Sequence, residues 1–245
     1  MSAFEQRKKR LYLFIVFGFA WGLLAITLAA PHVPGFYLAG FIAIAPLLAA
    51  YPLQITNYDQ SFLAHVFVLS RPNNWWIVAV LVPFLFSFIL LSTYSLTAHP
   101  LVFNPFVWVI VFAVALFQEI GWRGFLQREL SRLLFWKSSL VIGIISACWH
   151  IPIALILFDT SDTLLMMLVV YFVLAAAPLA FIVGATKSVF PSTFMQTGLF
   201  ILLLLTTGYY QAVVVFFALL IMLNGVVMLL NAVFPSKFTN TFKLK

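Results

Sequence analysis

The chain has 245 residues, of which 64% are hydrophobic and 8% charged, and its mean hydropathy is +1.13. This composition excludes a soluble domain and describes a polytopic membrane protein, each span needing about 20 apolar residues to cross a hydrocarbon core about 30 Å thick. The formal charge of +7 does not point to nucleic acid, because the basic residues are spread over predicted loops with no soluble domain to carry a binding face; topology explains them better. A single cysteine, Cys148, excludes an internal disulfide and a cysteine-based metal cluster.

In chain order, Arg7-Lys8-Lys9-Arg10 precede an apolar run over residues 11–30. Its length and the spans after it predict an uncut anchor, not a signal peptide. Gly18 and Gly22 inside it form a GxxxG pair, read as helix packing. A second span is expected over 36–53. The polar stretch 54–74 carries Asp59, His65 and Arg71, and its apolar middle, 62–69, is expected to lie along the interface.

Trp75 and Trp76 open a third span, 75–96, as anchors at headgroup level. The fourth, 106–125, ends in Gln118-Glu119-Ile120-Gly121-Trp122-Arg123-Gly124. Residues 127–139 carry Arg128, Glu129, Arg132 and Lys137, with Leu130, Leu133, Leu134 and Trp136 on one side, which predicts a short amphipathic helix on the membrane. The fifth span, 140–158, contains Trp149-His150-Ile151-Pro152; Pro152 has no N–H, so the Cys148 carbonyl lacks its helical donor beside His150. Spans six to eight are expected over 164–186, 192–206 and 212–234, the seventh holding Gln196. The alternating pattern of a membrane β-barrel is absent.

Charge tests this assignment. With eight spans and a cytoplasmic N-terminus, every one of the 13 basic residues falls at a cytoplasmic end or loop, as the bias of Lys and Arg towards that side requires. Both termini are then inside. The expected fold is an all-α bundle of eight transmembrane helices forming a single membrane domain over 1–245, with a cytoplasm-facing polar cavity among the fourth, fifth and seventh spans.

Within the membrane an acid is a site candidate. Glu119 and Arg123 lie one helical turn apart, acid first, and are expected to pair; the bland alternative is a buried ion pair that serves packing. His150 and Gln196 enter from neighbouring spans towards the same depth. A lone histidine on an apolar span is more often a hydrogen-bonded packing residue than a catalyst, but the proline break beside His150 raises its standing. Trp122 is expected to wall the cavity or to anchor at the interface, and Cys148 to fill space. His32, His65 and His99 show no ligand spacing, and Glu119 with His150 falls short of a zinc set. No metal or cofactor is expected.

These residues resemble the CAAX-prenyl-protease and bacteriocin-processing (CPBP, or ABI) group of intramembrane endopeptidases, over roughly residues 106–205. The first family motif, often Glu-Glu-x-Gly-Trp-Arg-Gly, reads Gln118-Glu119-Ile120-Gly121-Trp122-Arg123-Gly124 here, followed by Phe125-Leu126. The second, a histidine before an apolar residue and proline, is kept as His150-Ile151-Pro152, with the aromatic three residues earlier replaced by Ala147. The third, a histidine and an asparagine four residues on, falls on Gln196 and Phe200. The resemblance implies that the first glutamate and the two histidines, helped by the asparagine, activate a water against a scissile amide. Of those four positions only His150 is kept.

The leading expectation is therefore a catalytically degenerate member that binds a peptide or a membrane partner, in bacteriocin self-immunity or regulation. The alternative is an active intramembrane endopeptidase using Glu119 and His150 as its catalytic pair, with Arg123 releasing the acid, and Gln118, Trp122 and Gln196 lining the cavity. A transporter or channel would need polar residues along a continuous path, which the other spans do not offer. The expected location is a cell membrane, bacterial in keeping with the bacteriocin-processing members, with the bilayer as the first partner and no nucleic acid.

Overall fold

The computed structural model of the chain describes residues 3–30, 32–55, 73–94, 104–157 and 162–233. Eight helices run through them, each an apolar segment that satisfies its backbone internally, as a bilayer demands. They are α1 (Ala3–Ala29), α2 (Gly35–Ile55), α3 (Asn74–Thr93) and α4, which begins as Pro105–Glu119 and continues to Glu129; then α5 (Phe135–Leu157), α6 (Asp162–Thr186), α7 (Val189–Thr206) and α8 (Tyr210–Val233). Seven are long and apolar enough to span a membrane; the shorter apolar stretch of α2, Tyr37–Leu53, is the eighth. The polytopic all-α fold read from hydropathy is thus the observed one. The predicted interfacial stretch 62–69, with His65, and His99 lie outside the described residues.

Helix starts are set by side chains that accept orphan N–H groups. Asn73, Asn104 and Ser188 cap α3, α4 and α7 by accepting from the backbone N–H two residues on, at Trp75, Phe106 and Phe190, and Pro105 supplies a first helical residue that needs no donor. Asn73 also donates Nδ2–H to the Ala185 carbonyl at the end of α6, at 3.0 Å. Asn73→Ala is expected to cost about 1 kcal/mol, read as earlier thermal unfolding in detergent.

Two departures from the sequence reading matter for the site. The amphipathic helix expected over 127–139 does not form. Gln127–Glu129 instead extends α4, a turn occupies 130–134, and α5 begins at Phe135 with Ser138 and Ser139 already buried. Lys9 closes the end of α4 by donating Nζ–H to the Glu129 carbonyl at 3.4 Å, which places a cation where the helix dipole is negative. The second departure is a π-helical segment within α4, Ile120–Leu126, all of it buried. Such wide turns inside α-helices occur often at functional sites.

The helices pack in two groups that share α5. Tyr12, Ile42, Trp122, Phe125 and Trp149 form one core from α1, α2, the π segment and α5. Phe86, Tyr171, Leu199 and Phe216 centre the other, from α3, α6, α7 and α8. Glycines meet prolines where helices approach most closely: a Cβ on Gly121 would strike Pro46 of α2, and one on Gly198 would lie 2.8 Å from Pro83 Cγ of α3. The Gly18 and Gly22 pair, read as packing, meets no neighbour among the described residues, none of whose atoms lies within 4 Å of a Cβ at either. α1 turns its other face inward, through Tyr12, Val16, Ala20 and Leu24 at four-residue intervals. Cys148, expected to fill space, is exposed on the outside of α5.

Candidate functional site

The polar side chains that converge are Gln118 of α4, His150 of α5 and Gln196 of α7. All three are buried, between 4% and 7% exposed. His150 Nδ1 lies 2.7 Å from the Ser146 carbonyl, one turn back on its own helix, so Nδ1 carries the hydrogen and donates it. Nε2 of the neutral ring then offers a lone pair. It lies 3.2 Å from Gln118 Oε1, which is also 3.0 Å from Gln196 Nε2.

An oxygen cannot donate to that lone pair, and amide oxygen and nitrogen are distinguished only by the bonds they make. Exchanging the two in both glutamines yields a consistent network. Gln118 NH2 donates to His150 Nε2 and to Gln196 Oε1, which otherwise has no partner. A doubly protonated ring would satisfy the other arrangement but would bury an unpaired cation, which is the costlier choice.

Phe172 of α6 holds the imidazole from the side, its ring stacked at 3.6 Å between centroids and 18° between planes. Trp149 meets the same ring edge-on at 4.7 Å. Sequence reasoning missed Phe172 and Ser146. Neither stands in a motif, and a contact from α6 leaves no trace in spacing along α5.

The three polar groups sit at one end of a cavity of about 290 Å³ bounded by α2, α4, α5, α6 and α7. Its other walls are apolar and include Ala39, Ile110, Ala115, Leu157, Phe172 and Leu204. Among the described residues no charged side chain lines it. The cavity expected to be polar and to face the N-terminal side is thus mainly apolar, and its walls run the other way, over the first turns of α2 and the last turns of α5 and α7. The early start of α5 is the reason. From residue 135, His150 lies about 22 Å along its helix at 1.5 Å per residue, deeper than a start at 140 implied.

Glu119 is fully buried and its Oε1 accepts from Arg123 Nη1 at 2.7 Å. Neither residue lines the cavity: adjacent helical residues point about 100° apart, so Gln118 on the cavity turns Glu119 to another side. There the Ser192 hydroxyl of α7 stands beside the carboxylate while donating to the Val189 carbonyl at 2.8 Å. Its single proton serves one or the other. Trp122, expected on the cavity wall, is instead buried in the α1–α5 core, edge-on to Tyr12 at 5.9 Å and to Trp149 at 5.5 Å. The geometry therefore brings together Gln118, His150 and Gln196, and sets Glu119, Trp122 and Arg123 apart from them. Phe200, at the position of the family's asparagine, contributes an apolar wall.

The class these features define is a polytopic helical membrane protein with a hydrogen-bonded polar cluster at the inner end of an apolar cavity. Residues 100–202, which hold that cluster, match the family model described as type II CAAX prenyl endopeptidase Rce1-like, in agreement with the resemblance to the CPBP group carried by the motifs. No curated protein matches the chain.

Proposed function

We propose that the chain is a catalytically degenerate CPBP-type protein that holds a peptide or a membrane partner at this cavity without cleaving it. The observation that carries the reading is the amide at Gln118, where the family motif has a carboxylate; its NH2 is spent on His150 and Gln196. Amide hydrolysis needs a group to take the water's proton and donors for the developing oxyanion, within reach of one point. Gln118 cannot accept that proton, and Gln196 has no titratable site. Loss of a general base alone costs about 10²- to 10⁴-fold in rate.

The alternative, a peptidase built on Glu119 and His150, is weakened by the ion pair, since Glu119 would have to leave Arg123 and turn onto the cavity. We place the chain in a cell membrane, bacterial by its likeness to the bacteriocin-related group, with both termini cytoplasmic. In support, the described basic residues gather at one end of the bundle: the start of α1, the end of α4, the start of α5 and the α6–α7 turn. A role in self-immunity or regulation fits a binding cavity.

The test is cleavage of a peptide library by purified protein in nanodiscs, beside His150→Ala and the double variant Gln118→Glu with Gln196→His. A silent parent is expected, with cleavage returning in the double variant. Cleavage by the parent that disappears in His150→Ala overturns the reading.

A further inference from the structure

We infer that the ligand of this cavity is a neutral, extended amphiphile in which a single acyl chain is joined to an amide. The inference rests on the binding reading above and names its ligand chemistry. Three observations carry it. The first is charge: with no charged side chain on the walls among the described residues, a charged head would be stripped of water with no counter-ion, which is costly enough to exclude it.

The second is the hydrogen-bonding capacity left over. Once Gln118 NH2 has served His150 and Gln196, the cluster retains one amide oxygen, on Gln118, and one NH2, on Gln196. The opposite assignment of both amides leaves the same inventory, one NH2 and one carbonyl oxygen. A ligand that offers both an acceptor and a donor satisfies it, and an amide does so with its C=O and N–H. A bare hydrocarbon leaves buried polar groups unpaired, and an ester supplies no donor.

The third is shape. The polar groups stand at one end, and the walls continue from Gln118 to Ile110 along α4 and from Gln196 to Leu204 along α7. Eight helical residues in each case amount to about 12 Å, which suits a chain laid along the helices. Ala39 and Ala115, both small and buried, keep the channel open between α2 and α4. The same chemistry comes from two sources, a free fatty amide or the acylated N-terminus of a peptide, and the two are separable by experiment.

The probe is tritiated dodecanamide, titrated by equilibrium binding onto the full-length protein in nanodiscs of neutral phospholipid, with empty nanodiscs subtracted. Dodecanoate and dodecane compete as the charged and headless chains of equal length. Saturable binding of the amide is expected, with dodecanoate and dodecane at least tenfold weaker. Gln196→Leu should weaken the amide about tenfold, a change of about 1.4 kcal/mol, and leave dodecane unchanged. Ala115→Leu, which fills the channel, should weaken both; each variant is first checked for an unaltered unfolding temperature, with Ala39→Leu as a second channel-filling change.

An N-dodecanoyl peptide that displaces the amide with equal or better affinity assigns the acylated peptide as the source, and one that fails to displace it assigns the free amide. Equal affinity for dodecanoate, or amide binding indifferent to both Gln196→Leu and the channel-filling variants, overturns the proposal. So does absence of saturable binding by folded protein, and in that case the non-catalytic reading stands. Release of dodecanoate from a bound acyl peptide overturns the non-catalytic reading while leaving the ligand chemistry in place.

Discussion

Arg123→Met is expected to lower the stability of the folded protein by about 3–5 kcal/mol, the range for removing one partner of a buried ion pair. Glu119 is wholly buried and Arg123 nearly so, with 2.7 Å between the paired atoms. The variant leaves a buried carboxylate without its cation, the Ser192 hydroxyl beside it, and the loss reflects that stranded charge more than the strength of the pair itself. The double variant Glu119→Gln with Arg123→Met strands nothing and should recover much of the loss, so the two changes are strongly non-additive. Unfolding of the purified proteins by heat or denaturing detergent measures all three. A loss of under about 1 kcal/mol in Arg123→Met, as for an exposed pair, would mean that the pair is hydrated and holds nothing in place.

Gly121→Ala is the second large effect. The new Cβ would strike Pro46 Cβ and stand 2.6 Å from Tyr12 Oη and 2.8 Å from the Pro46 carbonyl carbon. Tyr12 and Pro46 cannot both withdraw, because the proline ring fixes its own backbone angle and Tyr12 is packed against Trp122 and Phe125. Overpacking of this kind costs about 1–3 kcal/mol, sometimes more, and the upper end is expected where backbone must yield. Gly18→Ala is the control, since among the described residues nothing lies within 4 Å of its Cβ. Equal unfolding temperatures for Gly121→Ala and the parent would show that α2 and α4 separate easily.

The eight helices were legible because each is a nearly unbroken apolar run flanked by charge or turn residues. What hydropathy did not carry was rotation. α4 is apolar on all sides before Gln118, so periodicity does not say which of Gln118 and Glu119 faces inward, and the π segment after Glu119 changes the period just where the motif lies. The start of α5 was misjudged for a related reason. Arg132 and Lys137 suggest an interfacial helix, whereas a five-residue turn suffices and Ser138 and Ser139 enter the bundle. His150 and Gln196 are legible from their places in the spans and Gln118 from the motif; their mutual hydrogen bonds needed the fold, as did the stacking of Phe172 on the imidazole.

Gln118 and Glu119 point about 100° apart on α4, so the seating of that helix against α7 settles which of the two the cavity meets: an amide on the cavity side and an acid on the side of Ser192. Arg123 stands one turn from Glu119 on the same helix and keeps the acid company away from the cavity, so neighbouring residues of one motif serve two separate compartments of the bundle.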